Sequence, residues 1–215
     1  MRKTSMALAL LATTAVFTPM VHAAGTLAPS SASVTATVTP TSVTFNFTGM
    51  TMAGFQFQQL AGDLAGPIFG TLTSVSVNAT LDASVGYTYG DDLSLYVVSG
   101  ELAFGGQLQI GGFSDLQAAE HQSWANGGSS APGTTVIDTV TLGTPLTFTG
   151  GASDPNIWLG NGYGSSSAEG TWSGSITLTG LSATAPVPEP SSMALMLGGL
   201  GLAGFVARRR RARSA

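Results

Sequence analysis

The side chains of this 215-residue chain that could do chemistry fall into two groups. Glu120, His121 and Trp124 stand close together in sequence, so a helix there would set a carboxylate, an imidazole and an indole within about one turn. Trp158 lies beside Tyr163 in a polar, glycine-rich stretch, residues 154–164. Aromatic rings on loops offer contact area to sugars without needing charge, which makes Glu120, Trp124, Trp158 and Tyr163 the candidate carbohydrate-binding residues. The second group is rich in hard oxygen. Asp91 and Asp92 follow Gly90 at a turn, Asp82 precedes them, and Asp154 with Asn156 offers oxygens in another loop. Calcium takes six to eight oxygen ligands, so Asp91, Asp92, Asp154 and Asn156 are the candidate metal residues and Ca2+ is the cation they would suit. Each group has a plainer alternative. The aromatics could pack in the core, and the Asp91-Asp92 pair could be a solvated turn.

Other chemistries lack their residues. The chain has no cysteine, which removes thiol catalysis, disulfides and thiolate metal sites. His121 is the one histidine outside the first 23 residues, too few for a zinc site of the usual histidine type. Neither a Gly-x-Ser-x-Gly elbow nor a His-Glu-x-x-His helix is present. Glycoside cleavage needs two carboxylates across a sugar, and a chain with this many acids always offers some pair, so none is singled out. The expectation is a protein that is not an enzyme.

The elements that must position these residues are strands. Val34, Ala36 and Val38 alternate with threonines; Val43, Phe45 and Phe47 alternate with Thr44, Asn46 and Thr48; Val75, Val77, Ala79 and Leu81 alternate with hydroxyl and amide residues. Such period-two patterning gives each strand one apolar and one hydroxyl-rich face. Residues 85–89, 93–98, 102–104, 108–110, 136–142, 146–148 and 176–178 continue it, punctuated by Gly, Asp, Asn and Pro. About nine or ten short strands predict an all-β body, an antiparallel β-sandwich or jelly roll. One short helix is expected over residues 115–125, where Ser114-Asp115-Leu116-Gln117 has capping-box spacing and Asn126-Gly127-Gly128 supplies the stop. Residues 127–133, 150–156 and 160–167 are expected to be flexible loops.

Charge separates the body from its ends. All seven basic residues lie at the two termini, so residues 24–187 hold no lysine or arginine against ten carboxylates. A body without cationic side chains cannot neutralise phosphates, which argues against nucleic acid as a partner. Arg2 and Lys3 precede an apolar run and the small-residue pattern Val21-His22-Ala23, the layout of a signal peptide over residues 1–23. The body spans residues 24–185. At the far end, residues 191–207 carry no charge over 17 residues, about 26 Å of helix, long enough for a short membrane span. Arg208, Arg209, Arg210 and Arg211 follow, and would anchor that span with its C-terminus inside, leaving residues 208–215 cytoplasmic.

Pro188-Glu189-Pro190, the glycine-rich apolar stretch and the terminal arginines resemble, in order and position, the PEP-CTERM sorting signal, here over residues 186–215. The resemblance implies a membrane-embedded processing enzyme of exosortase type as partner, transient anchoring in the inner membrane, and release or transfer of the body to the cell surface. It further implies a structural or adhesive role linked to exopolysaccharide and biofilm. A carbohydrate-binding or carbohydrate-cleaving module of the same fold is the alternative. Two prolines around Glu189 forbid regular backbone pairing, and the extended segment they leave at the membrane face is one a processing enzyme can grip.

Overall fold

The computed structural model describes residues 25–27, 34–60, 67–165 and 167–183. The expected signal peptide and the tail, with its span over residues 191–207, lie outside them. Among the described residues, no helix is long and apolar enough to cross a membrane. The strands are β1 (Gly25–Leu27), β2 (Val34–Val38), β3 (Ser42–Ala53), β4 (Phe57–Gln59), β5 (Phe69–Val85), β6 (Leu93–Val98), β7 (Leu108–Ile110), β8 (Glu120–Gln122), β9 (Thr134–Thr149), β10 (Asn156–Asn161) and β11 (Glu169–Ser182). They form a six-stranded antiparallel sheet, β1-β2-β3-β11-β5-β9, and a five-stranded sheet, β4-β10-β6-β7-β8, in which β8 alone runs parallel to its neighbour.

Period two dictates which face is buried. Val43, Phe45, Val75, Val77, Ile176 and Leu178 of the larger sheet meet Leu93, Leu95, Val97, Ile157 and Leu159 of the smaller in one apolar cluster. The opposite face of the larger sheet pairs hydroxyls across strands, Thr44 with Thr177 at 2.9 Å, Thr51 with Thr171 at 2.8 Å and Ser76 with Thr139 at 2.9 Å. Between the pairs Phe47–Gly174 and Met50–Trp172, β3 places two residues opposite Ser173. Gly49 takes φ 59° at this bulge, and its N–H donates to Ser173 Oγ at 2.8 Å. The extra residue restores the alternation, so Met50 and Met52 face inward again.

The helix expected over residues 115–125 does not form. A helix would pass the carbonyl of Leu116 to the N–H of Glu120. Instead Leu116 O accepts from Gly105 N–H at 3.0 Å, while the N–H groups of Ala119 and Glu120 donate to the carbonyls of Gly106 and Gln107. Fully buried Gln109 holds the same loop open, receiving Leu116 N–H on Oε1 and donating through Nε2 to the carbonyls of Gly111 and Ser114. Gln117 turns the chain at φ 59°, and Glu120–Gln122 becomes β8. The backbone groups a helix needs are already bonded across the sheet edge. Two expected strands are also absent. Residues 86–89 turn after β5, and residues 102–104 bend over the outer face of the smaller sheet. Conversely, residues 136–142 and 146–148 merge into β9, and β10 forms inside a stretch expected to be mostly loop.

Candidate functional site

A single turn of 3-10 helix, Gly90–Asp92, sits where β5 gives way to β6 and is held from all sides. Trp172 donates its indole N–H to Gly90 O at 3.1 Å, and Trp124 donates its own to Leu93 O at 2.7 Å. The N–H groups of Gly112 and Gly162 donate to the carbonyls of Asp91 and Asp92 at 2.8 and 2.7 Å. Gly111, at φ 76°, makes the close approach feasible, because a Cβ there would lie 2.0 Å from the Trp124 indole nitrogen.

The two aspartates of the turn differ. Asp92 is 2% exposed, and its Oδ2 accepts Tyr89 N–H at 2.7 Å. Burial pushes its carboxyl up to about 6; the Tyr89 N–H opposes this, the neighbouring Asp91 charge adds to it, and the Phe113 N–H opposes it again. Asp91 is half-buried, and burial raises its pKa too, against its own N–H. Beside the turn opens a cleft of about 230 Å³ whose walls include Tyr89, Asp91, Phe113, His121, Ser123 and Trp124. Phe113 is 77% exposed, and its ring lies 5.8 Å from that of Tyr163 at 54°. His121 Nδ1 stands 3.7 Å from Asp115 Oδ1.

The expected carbohydrate residues have separate surroundings. Trp124 is buried and forms part of the cleft wall. Tyr163 does not line the cleft but packs on Phe113, which does. Trp158 lies on the outer face of the smaller sheet, packed against a second apolar cluster of Tyr96, Val98 and Leu116, with its indole nitrogen buried and unbonded. Glu120 is a backbone cap. Its oxygens accept the N–H groups of Gly143 and Thr144 at 2.7 and 2.9 Å, with Gln122 Nε2 also donating to it. Burial works to raise its pKa, but these donors together hold it below the ordinary carboxylate value.

Glu120 belongs to a wider arrangement. β9 is an edge strand of the larger sheet, and a long edge with free N–H and C=O groups invites pairing with another chain. Here side chains occupy it. Asn126 donates to Ile137 O at 2.7 Å and accepts Ile137 N–H at 2.9 Å, as a neighbouring strand would. Gln122 donates to Thr141 O, and Glu120 takes the N–H groups at 143 and 144.

The four metal candidates separate into two pairs. Asn156 pairs with Val98 and Asn161 with Leu93, so Asp91 and Asp92 lie at one end of β10, and Asp154 and Asn156 at the other. Asp154 accepts the N–H groups of Thr149 and Gly150, each at 2.7 Å, and the Thr149 hydroxyl at 2.8 Å. Burial works to raise its pKa, but the Thr149 hydroxyl and the nearby N–H groups lower it overall. Asn156 donates to Gly100 O at 2.6 Å. Among the described residues, no three His, Asp or Glu side chains converge as a metal-holding group. Tyr89 and Phe113 were not foreseen from sequence. The signal for Phe113 is the Gly111-Gly112 pair before it, both at positive φ, which turns the chain so that the ring stands outward.

The remaining expected residues, Pro188, Glu189, Pro190 and Arg208 to Arg211, lie outside the described part of the chain. Comparison with known families places them. The PEP-CTERM protein-sorting motif matches residues 186–211. The chain carries a PEP-CTERM sorting signal. The PEP-CTERM tail implies export, targeting to the cell surface and an exosortase-type processing partner. The match stops at the tail, and neither a curated protein nor a solved structure matches the chain.

Proposed function

We propose that this is an exported surface or extracellular-matrix protein whose two-sheet body, a β-sandwich, is cut from its membrane-spanning tail at the Pro-Glu-Pro element and serves a structural or adhesive role in an exopolysaccharide biofilm. The observation that carries the reading is the sorting motif at residues 186–211. A signal-peptide pattern at the other terminus and a body free of lysine and arginine agree with it. In this reading the body is not an enzyme. Several of its carboxylates are occupied by backbone N–H groups: Asp92 by Tyr89, Glu120 by Gly143 and Thr144, Asp138 by Ala125, and Asp154 by Thr149. Carboxylates bonded in this way support loops and edges, which suits a scaffold.

The test of the processing step is Glu189→Ala in the producing cell. The wild-type body is expected in the surface fraction and the variant in the inner membrane with its tail intact. Equal surface delivery of both would show that the Glu189 side chain is not recognised. A carbohydrate-binding or carbohydrate-cleaving module is the second reading, favoured by the exposed Phe113 ring beside the cleft, which packs on half-buried Tyr163. Release of reducing ends from a polysaccharide incubated with the protein would select the cleaving form.

A further inference from the structure

The cleft beside the Gly90–Asp92 turn has no part in sorting, yet it is a built feature. Phe113 carries its ring 77% exposed on a loop that is pinned at both ends, by Gly112 N–H on Asp91 O at 2.8 Å and by Ser114 N–H on Gly162 O at 2.8 Å. The ring does not stand alone: with Tyr163 against it and Tyr89 on the same cleft it gives an aromatic border, and clustered exposed rings mark a contact where a single one does not. Tyr163 supports that ring from one side, and Tyr89, 40% exposed, stands on the cleft wall. The same cleft is lined by groups that hydrogen-bond in both senses: the Asp91 carboxylate accepts, the Ser123 hydroxyl donates and accepts, and the His121 imidazole does either.

We propose that this cleft binds one ring of a neutral saccharide, with Phe113, backed by Tyr163, stacking on its C–H face and Asp91, Ser123 and His121 taking its hydroxyls. The proposal rests on the exopolysaccharide reading above for the source of the ligand and on the cleft for its chemistry. Rings supply area to the apolar face of a sugar, and its hydroxyls require donors and acceptors together. A cleft of about 230 Å³ takes a single ring, with the rest of the polymer running past over the exposed aromatics. An acidic sugar is disfavoured, because Asp91 lies at the site and the body has no lysine or arginine to answer a carboxylate or sulfate. An organic cation is a poorer fit, since the buried Asp92 is already bonded to backbone and only Asp91 is open.

The experiment is affinity electrophoresis of the full-length protein, kept in a detergent without a sugar headgroup, through gels containing dextran, galactomannan or polygalacturonate. Retardation by dextran or galactomannan and none by polygalacturonate is expected. Phe113→Ala should weaken the retarding interaction roughly tenfold, the upper range for a lost aromatic contact, and leave the melting temperature unchanged because the ring is exposed. Asp91→Asn, which keeps the backbone bonds of the turn, should weaken it severalfold. Failure of both neutral polymers to retard the protein, stronger retardation by polygalacturonate, or full retardation of both variants would each overturn the site. Sorting is scored separately. A protein that is cut near Pro188–Pro190 in the cell but ignores neutral polymers leaves the export reading standing and removes this one, and an uncut protein that binds them does the reverse.

Discussion

The two sheets solve the same problem in different ways. The larger sheet buries one face and wets the other with hydroxyls, so each strand is complete once its apolar side meets the core. The smaller sheet is covered on both faces at its centre: all residues of β6 and β7 are buried, and Tyr96, Val98 and Leu116 form a second cluster outside it. Covering a sheet with loop instead of water makes its enclosed polar groups depend on protein partners; Ser94 Oγ and the Trp158 indole nitrogen go without one, but the others that shape the loops are bonded. Tyr96 donates to Ala103 O at 2.8 Å and accepts Gly106 N–H at 2.7 Å, while Gln109 makes three bonds to its own following loop. The larger sheet is thus a wall and the smaller one a frame that holds loops in fixed places. Loops fixed in this way shape the cleft and present Phe113.

The contrast is sharpest at Gln109. Gln109→Leu leaves the Leu116 N–H and the Gly111 and Ser114 carbonyls without that partner in a buried place, each costing about 1–3 kcal/mol. A loss of roughly 3 kcal/mol or more is expected by denaturant unfolding, with disorder of the Phe113 loop in NMR spectra. The matching change on the larger sheet, Thr177→Val, removes the hydroxyl partner of Thr44 at the wetted face and should stay within about 0.5 kcal/mol. Comparable losses from the two would erase the distinction.

Asp92 tests the frame by pH. Its carboxyl sits at about 6 against an ordinary value of 3.8, so between those values the folded chain keeps a proton that the unfolded chain has lost. Stability from this group is therefore greatest below about pH 4, falls as pH rises to about 6, and is level above, a change on the order of 2–3 kcal/mol. Asp92→Asn should shrink that fall, leaving the part of the same sign that Asp91 contributes. Glu120 and Asp154, held low, act with the opposite sign and lose their contribution only as pH falls below the ordinary carboxylate range. A wild-type profile with no fall between pH 4 and 6 would contradict the buried position of Asp92.

The same contrast accounts for what could be read in advance. The core face of the larger sheet was legible because its strands are long and alternate cleanly, as in Val75, Val77, Ala79 and Leu81. The smaller sheet was less legible. β10 places Ile157 and Leu159 in the core within a glycine- and asparagine-rich stretch, too short for its alternation to stand out. Capping-box spacing at Ser114 is a local signal, and Gln109 with the carbonyls at 106 and 107 overrode it through contacts no local pattern records. Candidate residues were legible as types only. Asp91 and Trp124 come together around one cleft with Phe113, on whose ring Tyr163 packs, whereas Glu120 and Asp154 satisfy backbone donors that depend on the tertiary register.

A modest loss of stability is expected at the edge of the larger sheet, where it borrows its protection from the loop after β8. Asn126→Ala removes both bonds to Ile137 and should cost about 1 kcal/mol. Its more telling result is association: with the Ile137 N–H and C=O freed, sedimentation is expected to show concentration-dependent oligomers that the wild type lacks. A variant that sediments as the wild type does would assign edge protection to Gln122 and Glu120.

Export followed by a cut at the tail leaves a mass signature, and intact mass spectrometry of the surface-exposed form reads it. The expected species lacks residues 1–23 and ends near Pro188–Pro190, with the apolar segment and arginines gone. A surface species that retains residues 191–215 would contradict it.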